Sequence, residues 1–146
     1  MFDLSPQDRI HFWRSFRADL LEMETLPALK QVADLWGKCP TTAGYLDYAD
    51  CTDWPDPWTL VNNNHYCDVA VSLGMFYTIY LSEILDNSTL KIVIYKDKTN
   101  FVNSVQNSKY ALNINYRQVV NTTSIPKELE CLSVYTEKDL NAEKYL

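Results

Sequence analysis

Apolar residues recur at helical spacing along the first part of the chain. Phe12, Phe16 and Leu20 stand four apart, and Ile10, Trp13 and Leu21 widen the stripe. Ser5-Pro6-Gln7-Asp8 precedes them. Ser5 can cap, proline suits the first helical position, and Asp8 falls in the positive first turn. The pattern predicts an amphipathic helix reaching about Met23. Leu29, Val32, Ala33 and Trp36 carry a second helix over 26–36, with Gly37 as its stop.

Residues 39–54 follow neither a helical nor a strand period. Loops of that length pack on their own aromatics or bind something. Asp56-Pro57 opens a short helical turn through Trp58, Leu60 and Val61, which Asn62-Asn63-Asn64 breaks. From His65 to about Leu85, the residues Val69, Leu73, Phe76, Tyr77, Tyr80 and Leu81 cover more than one stripe. They predict a central buried helix with Asn64 as its cap. Strand texture follows. Residues 90–95 are rich in β-branched types, 96–100 form a turn, and Phe101-Val102 starts a short return strand. Tyr110, Leu112, Ile114 and Tyr116 alternate onto one face, and residues 132–135 form the last strand. Helices first and strands afterwards predict an α+β fold, with N-terminal helices and a long central helix packed on a C-terminal antiparallel sheet. The expected organisation is one domain over 1–146: helical over 5–85, strand-rich over 90–136, then a short C-terminal tail.

Composition narrows the class. A 146-residue chain of 17.0 kDa folds to roughly 7,700 Å² of exposed surface, enough burial for a core without staples. Thirteen Lys and Arg against nineteen Asp and Glu give a net charge of −6, which argues against direct nucleic-acid binding. The apolar run 69–81 is too short to span a bilayer, and the first residues lack the order of a signal peptide. The protein is therefore expected in a reducing cytoplasm, with its four cysteines as thiols. Ten Tyr and four Trp are the unusual feature, and suit a chain that buries large rings in its core or against partners.

Three groups of residues could carry chemistry. Cys39, Cys51, His65 and Cys67 are zinc-ligand types, but paired CxxC knuckles are missing, and His65 and Cys67 do not face one another on a helix. Packing explains them more simply, and no metal or other cofactor is expected. Asp47, Asp50, Asp53 and Asp56 lack the glycine bend and terminal Glu of a calcium loop, and read as a solvated acidic loop. Cys67 is the sharpest candidate, because free N–H groups at a helix start favour a thiolate. A cysteine that opens a helix ahead of strands resembles the transglutaminase-like and papain-like layout in outline. That resemblance implies a thiol nucleophile with a His and an acid from later strands. This chain departs from it: its histidines are His11 and His65, and none follows Cys67. The strand expected to carry the base starts near Tyr110. With the set incomplete, a protein of that fold would be catalytically dead.

Trp54-Pro55-Asp56-Pro57-Trp58 is the most distinctive string. Two prolines fix the backbone between two large rings, giving either a rigid plug over the central helix or a preorganised anchor for a partner. Tyr45, Tyr48, Trp54 and Trp58 are the expected partner-binding residues. Arg9-x3-Trp13-x2-Phe16-Arg17, Ala33-x2-Trp36-x2-Cys39-Pro40, the Trp-Pro string and Tyr66-Cys67-x2-Ala70-Val71-x2-Gly74-Met75-x2-Thr78 together resemble a small group of tailed-bacteriophage proteins, T4-like marine ones above all. The resemblance covers residues 9–81 and implies a setting rather than catalytic residues. It implies a non-enzymatic structural or assembly component of a virion (tail, baseplate or neck), made in the host cytoplasm. Such a component would bind other phage structural proteins and fit a symmetric homo-oligomeric assembly, with no membrane partner. The rival readings are a thiol-dependent transglutaminase-like or amidohydrolase enzyme using Cys67, and a phage protein acting on a host factor.

Overall fold

The computed structural model describes residues 1–146, in which four helices pack against a five-stranded antiparallel sheet. Helices α1 (Pro6–Leu20), α2 (Thr25–Trp36) and α3 (Pro57–Asn63) surround α4 (Asp68–Ser82). Strands β1 (Lys91–Asp97), β2 (Asn100–Gln106), β3 (Tyr110–Leu112), β4 (Val119–Asn121) and β5 (Glu130–Thr136) lie in the order β4-β3-β2-β1-β5. The fold is α+β, as the order of helical and strand patterns predicts. The exposed surface is 7800 Å², close to the value expected from chain mass. No helix is long and apolar enough to cross a membrane.

Helix α1 buries Trp13 and Leu20 of its predicted apolar stripe but tilts that stripe toward Arg9. Arg9, Trp13 and Leu20 are buried, whereas Phe12 is 42% exposed and Phe16 half-buried. Polar contacts decide this. The Arg9 guanidinium donates to the carbonyl oxygens of Val61 (2.7 Å), Asn62 (2.9 Å) and Leu4 (2.6 Å). A cation there meets the negative end of α3 and docks the two helices. Trp13 and Trp36 both donate their indole N–H to Thr78 Oγ1, at 3.0 and 2.9 Å. Gly74 permits this, because a Cβ there would clash with the Trp36 ring.

The central helix starts at Asp68, not at His65, and its N-cap is Cys67 rather than Asn64. Asn64 instead ends α3 in a left-handed conformation (φ 54°). The delay comes from a non-local pairing. Tyr66 forms a parallel bridge with Thr41; its N–H donates to the Pro40 carbonyl (3.1 Å), and its carbonyl accepts from the Thr42 N–H (3.0 Å). Residues 65–67 are therefore extended. On the other side of α4 lie Ile92, Ile94, Val105 and Leu112 of the sheet core.

Three strands differ from expectation, among them β4, which no sequence pattern predicts. β2 is a full seven-residue strand, although Asn103, Ser104 and Gln106 are polar; all three are buried beside β1. The alternation over 110–116 holds only to Leu112, because Asn113 takes a left-handed conformation (φ 64°) that ends β3. The C-terminal residues dock on the domain: Leu140 and Ala142 join the core, and Tyr145 packs edge-on to Trp58 and Tyr77.

Candidate functional site

The extended segment 65–67 delivers Cys67 to the start of α4 with its side chain almost wholly buried. Val71 N–H closes the first helical turn on the Cys67 carbonyl (3.0 Å), and no side chain caps the helix. The first N–H groups of α4, from Asp68 onward, thus have no side-chain partner. Cys67 lines a cleft of about 290 Å³ together with Asp68, with Gly44, Leu46 and Tyr48 of the long loop, and with Phe101 and Asn103 of β2. A neighbouring cleft of about 320 Å³ shares Asp68, Phe101 and Asn103. It continues past Cys39 and Asn113 to Tyr116 and Arg117. The start of α4 thus borders a groove on both sides.

Sheet register brings Asn103 to this place. It pairs with Ile94 of β1, and both lie on the face of the sheet that meets α4. Asn113 Nδ2 donates to its main-chain carbonyl (2.8 Å), which ties the start of the β3–β4 loop to β2. The Asn103 side-chain Oδ1 is buried and has no hydrogen-bond partner. The strand side chain that reaches the thiol's cleft therefore comes from β2, not from the strand beginning at Tyr110. Sequence reasoning missed Asn103. Its only local signal is period-two placement with Phe101 and Val105, which puts it on the inward face.

The histidines do not enter the cleft. His11 is exposed on α1. His65 is exposed, leans on the Tyr45 ring (5.0 Å between centroids) and sets Nδ1 3.1 Å from the Asn63 carbonyl. Asp68 supplies the only carboxyl group on the cleft wall. Tyr45 donates its hydroxyl to the His65 carbonyl (2.7 Å), and burial first, then Cys67 and Cys39, push its phenol up to about 12.

The other expected residues are spread out. Cys39 sits in the neighbouring cleft, Cys51 Sγ lies 3.5 Å from the Asp139 carbonyl, and Cys131 is exposed on β5. Nowhere do three His, Cys, Asp or Glu side chains converge to hold a metal ion, so Cys39, Cys51, His65 and Cys67 are not a zinc set. The long loop's rings contact their own domain. Tyr48 lies 4.4 Å from Phe101, Trp54 packs edge-on to Tyr135 (4.7 Å) and donates to the Asp47 carbonyl (2.9 Å), and Trp58 meets Tyr145. Tyr45, Tyr48 and Trp58 remain about two-fifths exposed.

Burial pushes the Cys39 thiol up from 9.0 to about 11. The folded chain then holds this proton to higher pH than the unfolded chain does. The resulting stability is whole below about pH 9 and is lost as pH rises through about 11. Urea midpoints should fall across that window, and Cys39→Ala should flatten the fall. An equally steep fall in the variant would assign it elsewhere, Tyr45 being the next group.

No family model and no curated protein sequence matches the chain. Solved structures do. LapG of Legionella pneumophila superposes in its EGTA-treated form with a TM-score of 0.70 at 12% identity, over 90% of this chain and 74% of that one. A second LapG structure gives 0.68 at 12% identity, over 97% and 87%. The calcium-bound form gives 0.65 at 12% identity, over 92% and 81%. Asp47, Asp50 and Asp56 accept from the backbone N–H groups of Ala49, Thr52 and Thr59, and no three His, Cys, Asp or Glu side chains are grouped to hold a metal ion. The comparison overturns the expected non-enzymatic tail, baseplate or neck component, and with it the virion and bacteriophage setting. What this chain shares with solved proteins is the fold of LapG, which fits the outline resemblance carried by Cys67.

Proposed function

We propose that this protein is a thiol-dependent acyl-transfer enzyme of transglutaminase-like or amidohydrolase type, with Cys67 as nucleophile. The observation that carries the reading is the placement of Cys67 at the uncapped start of α4, on the wall of a cleft it shares with β2. The LapG-like fold supports it.

The chemistry follows from the groups present. Cys67 Sγ attacks the carbonyl carbon of an amide, and free N–H groups at the start of α4 face the oxygen where negative charge develops. The C–N bond breaks, the amine leaves with the thiol's proton, and a thioester remains on Cys67. Water then releases a carboxylic acid and restores the thiol; an amine in place of water yields a new amide. In this reading Asp68, the carboxyl group on the cleft wall, carries the proton between these partners. With no imidazole in the cleft, the first step is slow compared with a Cys–His enzyme.

Intact-mass measurement tests this. Acid-quenched mixtures of protein with a panel of glutamine-containing and acyl-amide peptides should show an acyl adduct on Cys67. Hydroxylamine should remove it, and Cys67→Ala should not form it. A panel that leaves the wild-type mass unchanged would sink the reading.

A further inference from the structure

The cleft of about 320 Å³ beside the thiol's own holds a cation that the proposed chemistry does not use. Trp36, Val71, Met75, Ile114 and Tyr116 give it apolar walls, and Arg117 is the one basic residue in its lining. Three contacts place that side chain. Its stem lies over Gly37, where a Cβ would clash with it. Its Nε lies 3.5 Å from Asp34 Oδ1, and its guanidinium carbon 5.6 Å from the centre of the Tyr116 ring. The β3–β4 loop that carries Arg117 is held as well. Tyr116 donates its hydroxyl to the Gly37 carbonyl (2.6 Å), and Asn113 Nδ2 donates to the Asn103 carbonyl (2.8 Å). Asn113 and Arg117 have left-handed backbone conformations (φ 64° and 59°), which arginine rarely adopts. Strain of that kind persists where the surroundings fix it, and it gathers at ligand clamps.

Charge points the same way. Asp34 serves two cations, because Lys38 Nζ lies 3.0 Å from its Oδ2. One positive charge is therefore left over at this spot in a chain of net charge −6. The Arg117 side chain is 36% exposed, and Asp34 engages it through Nε, which leaves both Nη groups accessible. Asp68, the cleft's one carboxyl group, lies at the end shared with the cleft of Cys67.

We infer that this second cleft is a subsite for a ligand carboxylate, with Arg117 as the specificity-determining residue. The two Nη groups donate to the carboxylate oxygens in a charge-assisted pair, and the apolar walls take the carbon chain that bears them. Asp68 repels the same group and turns it toward the Arg117 end. This deepens the proposed acyl transfer, and rests on it only for what lies at the other end of the groove. A peptide along the groove then puts its reacting amide at Cys67 and an acidic group at Arg117. Two sources share that chemistry, an acidic side chain and a C-terminal carboxylate.

Two pairs of dipeptides test it. N-acetyl-Leu-Glu-amide is compared with N-acetyl-Leu-Gln-amide, and N-acetyl-Leu-Leu, with its free carboxylate, is compared with its amide. The protein carries Cys67→Ala, so that binding is read without turnover. NMR titrations that follow the backbone amides of Gly37, Ile114 and Arg117 give each Kd. In at least one pair the acidic peptide should bind about tenfold tighter than its neutral partner at low salt, as a charge-assisted hydrogen bond requires. The pair that shows it identifies the source. Salt should shrink the advantage. Arg117→Gln should erase it, and Arg117→Lys, which keeps the charge but not the fork, should keep part of it. Asp34→Asn, which removes the competing anion from outside the cleft, should enlarge it. Equal Kd values within both pairs would overturn the inference, as would an advantage that survives Arg117→Gln, or no shift with any peptide. If Arg117→Gln does not fold, Asp34→Asn decides, and an advantage that fails to grow there overturns the inference. The titration needs no thiol, so its failure leaves the acyl-transfer reading standing. Carboxylate selectivity in a protein that never forms a thioester would sink that reading and keep the subsite.

Discussion

Thr78→Val should lower the unfolding free energy by about 4 kcal/mol, the largest loss expected from any near-isosteric change in this chain. Thr78 is fully buried, and its Oγ1 accepts from both indoles while donating to the Gly74 carbonyl (2.7 Å). Valine fills the same volume, so no cavity opens. What remains is two buried N–H groups with no acceptor, each costing about 1–3 kcal/mol. Thr78→Ser keeps the oxygen and loses a methyl, and should cost about 1 kcal/mol. Urea unfolding of the two variants, with unchanged m, isolates the hydrogen-bond contribution. A difference between them below about 1 kcal/mol would show that the indoles do not depend on this oxygen. Thr78 lies eleven residues beyond Cys67, about 16 Å along the helix, so Cys67 alkylation should not change.

The same network explains where sequence reading succeeds and where it stops. Apolar periodicity, the Asp56-Pro57 helix start and β-branched runs are local signals, and they locate all four helices, β1 and β5 to within a few residues. The inward face of α1 is set by partners far along the chain: carbonyls at 61–62 for Arg9, a hydroxyl at 78 for Trp13. Periodicity puts both Phe12 and Trp13 in the stripe, and hydrogen bonding decides for Trp13. The start of α4 moved for the same reason, since the bridge from Thr41 to Tyr66 costs the helix its expected first residues. The strand β2 was illegible beyond its first residues because its polar run is buried only by virtue of a neighbour on either side.

At the site, residue type was enough to single out Cys67, and chain order was enough to show that no histidine follows it. Which strand would face the thiol was not legible. That depends on the β1–β2 register, which pairs Asn103 with Ile94, and on the left-handed Asn113 that stops β3 short. The long loop's rings posed a similar problem. Their spacing is compatible with a partner surface or with a plug. The structure packs Tyr48 on Phe101 at the cleft that holds Cys67, so part of that aromatic surplus forms the site's own wall.

Asn103→His should raise the rate of thioester formation on Cys67 about a hundredfold. The cleft now offers the thiol a carboxamide, which cannot take up a proton at neutral pH, and the carboxyl of Asp68. An imidazole placed on β2 would add a general base of the kind worth about 10²–10⁴ in rate. The cleft of about 290 Å³ has room for the larger ring, and the bond from Asn113 reaches the main chain, so it survives the change. The rate should rise with pH through about 6.5, the range of an unperturbed imidazole. The double variant Asn103→His with Cys67→Ala should form no adduct. Acid-quenched mass spectrometry over a pH series gives the rate, and urea midpoints show whether the variant is folded. A folded variant with no gain in rate at any pH would mean that β2 does not present position 103 to the thiol.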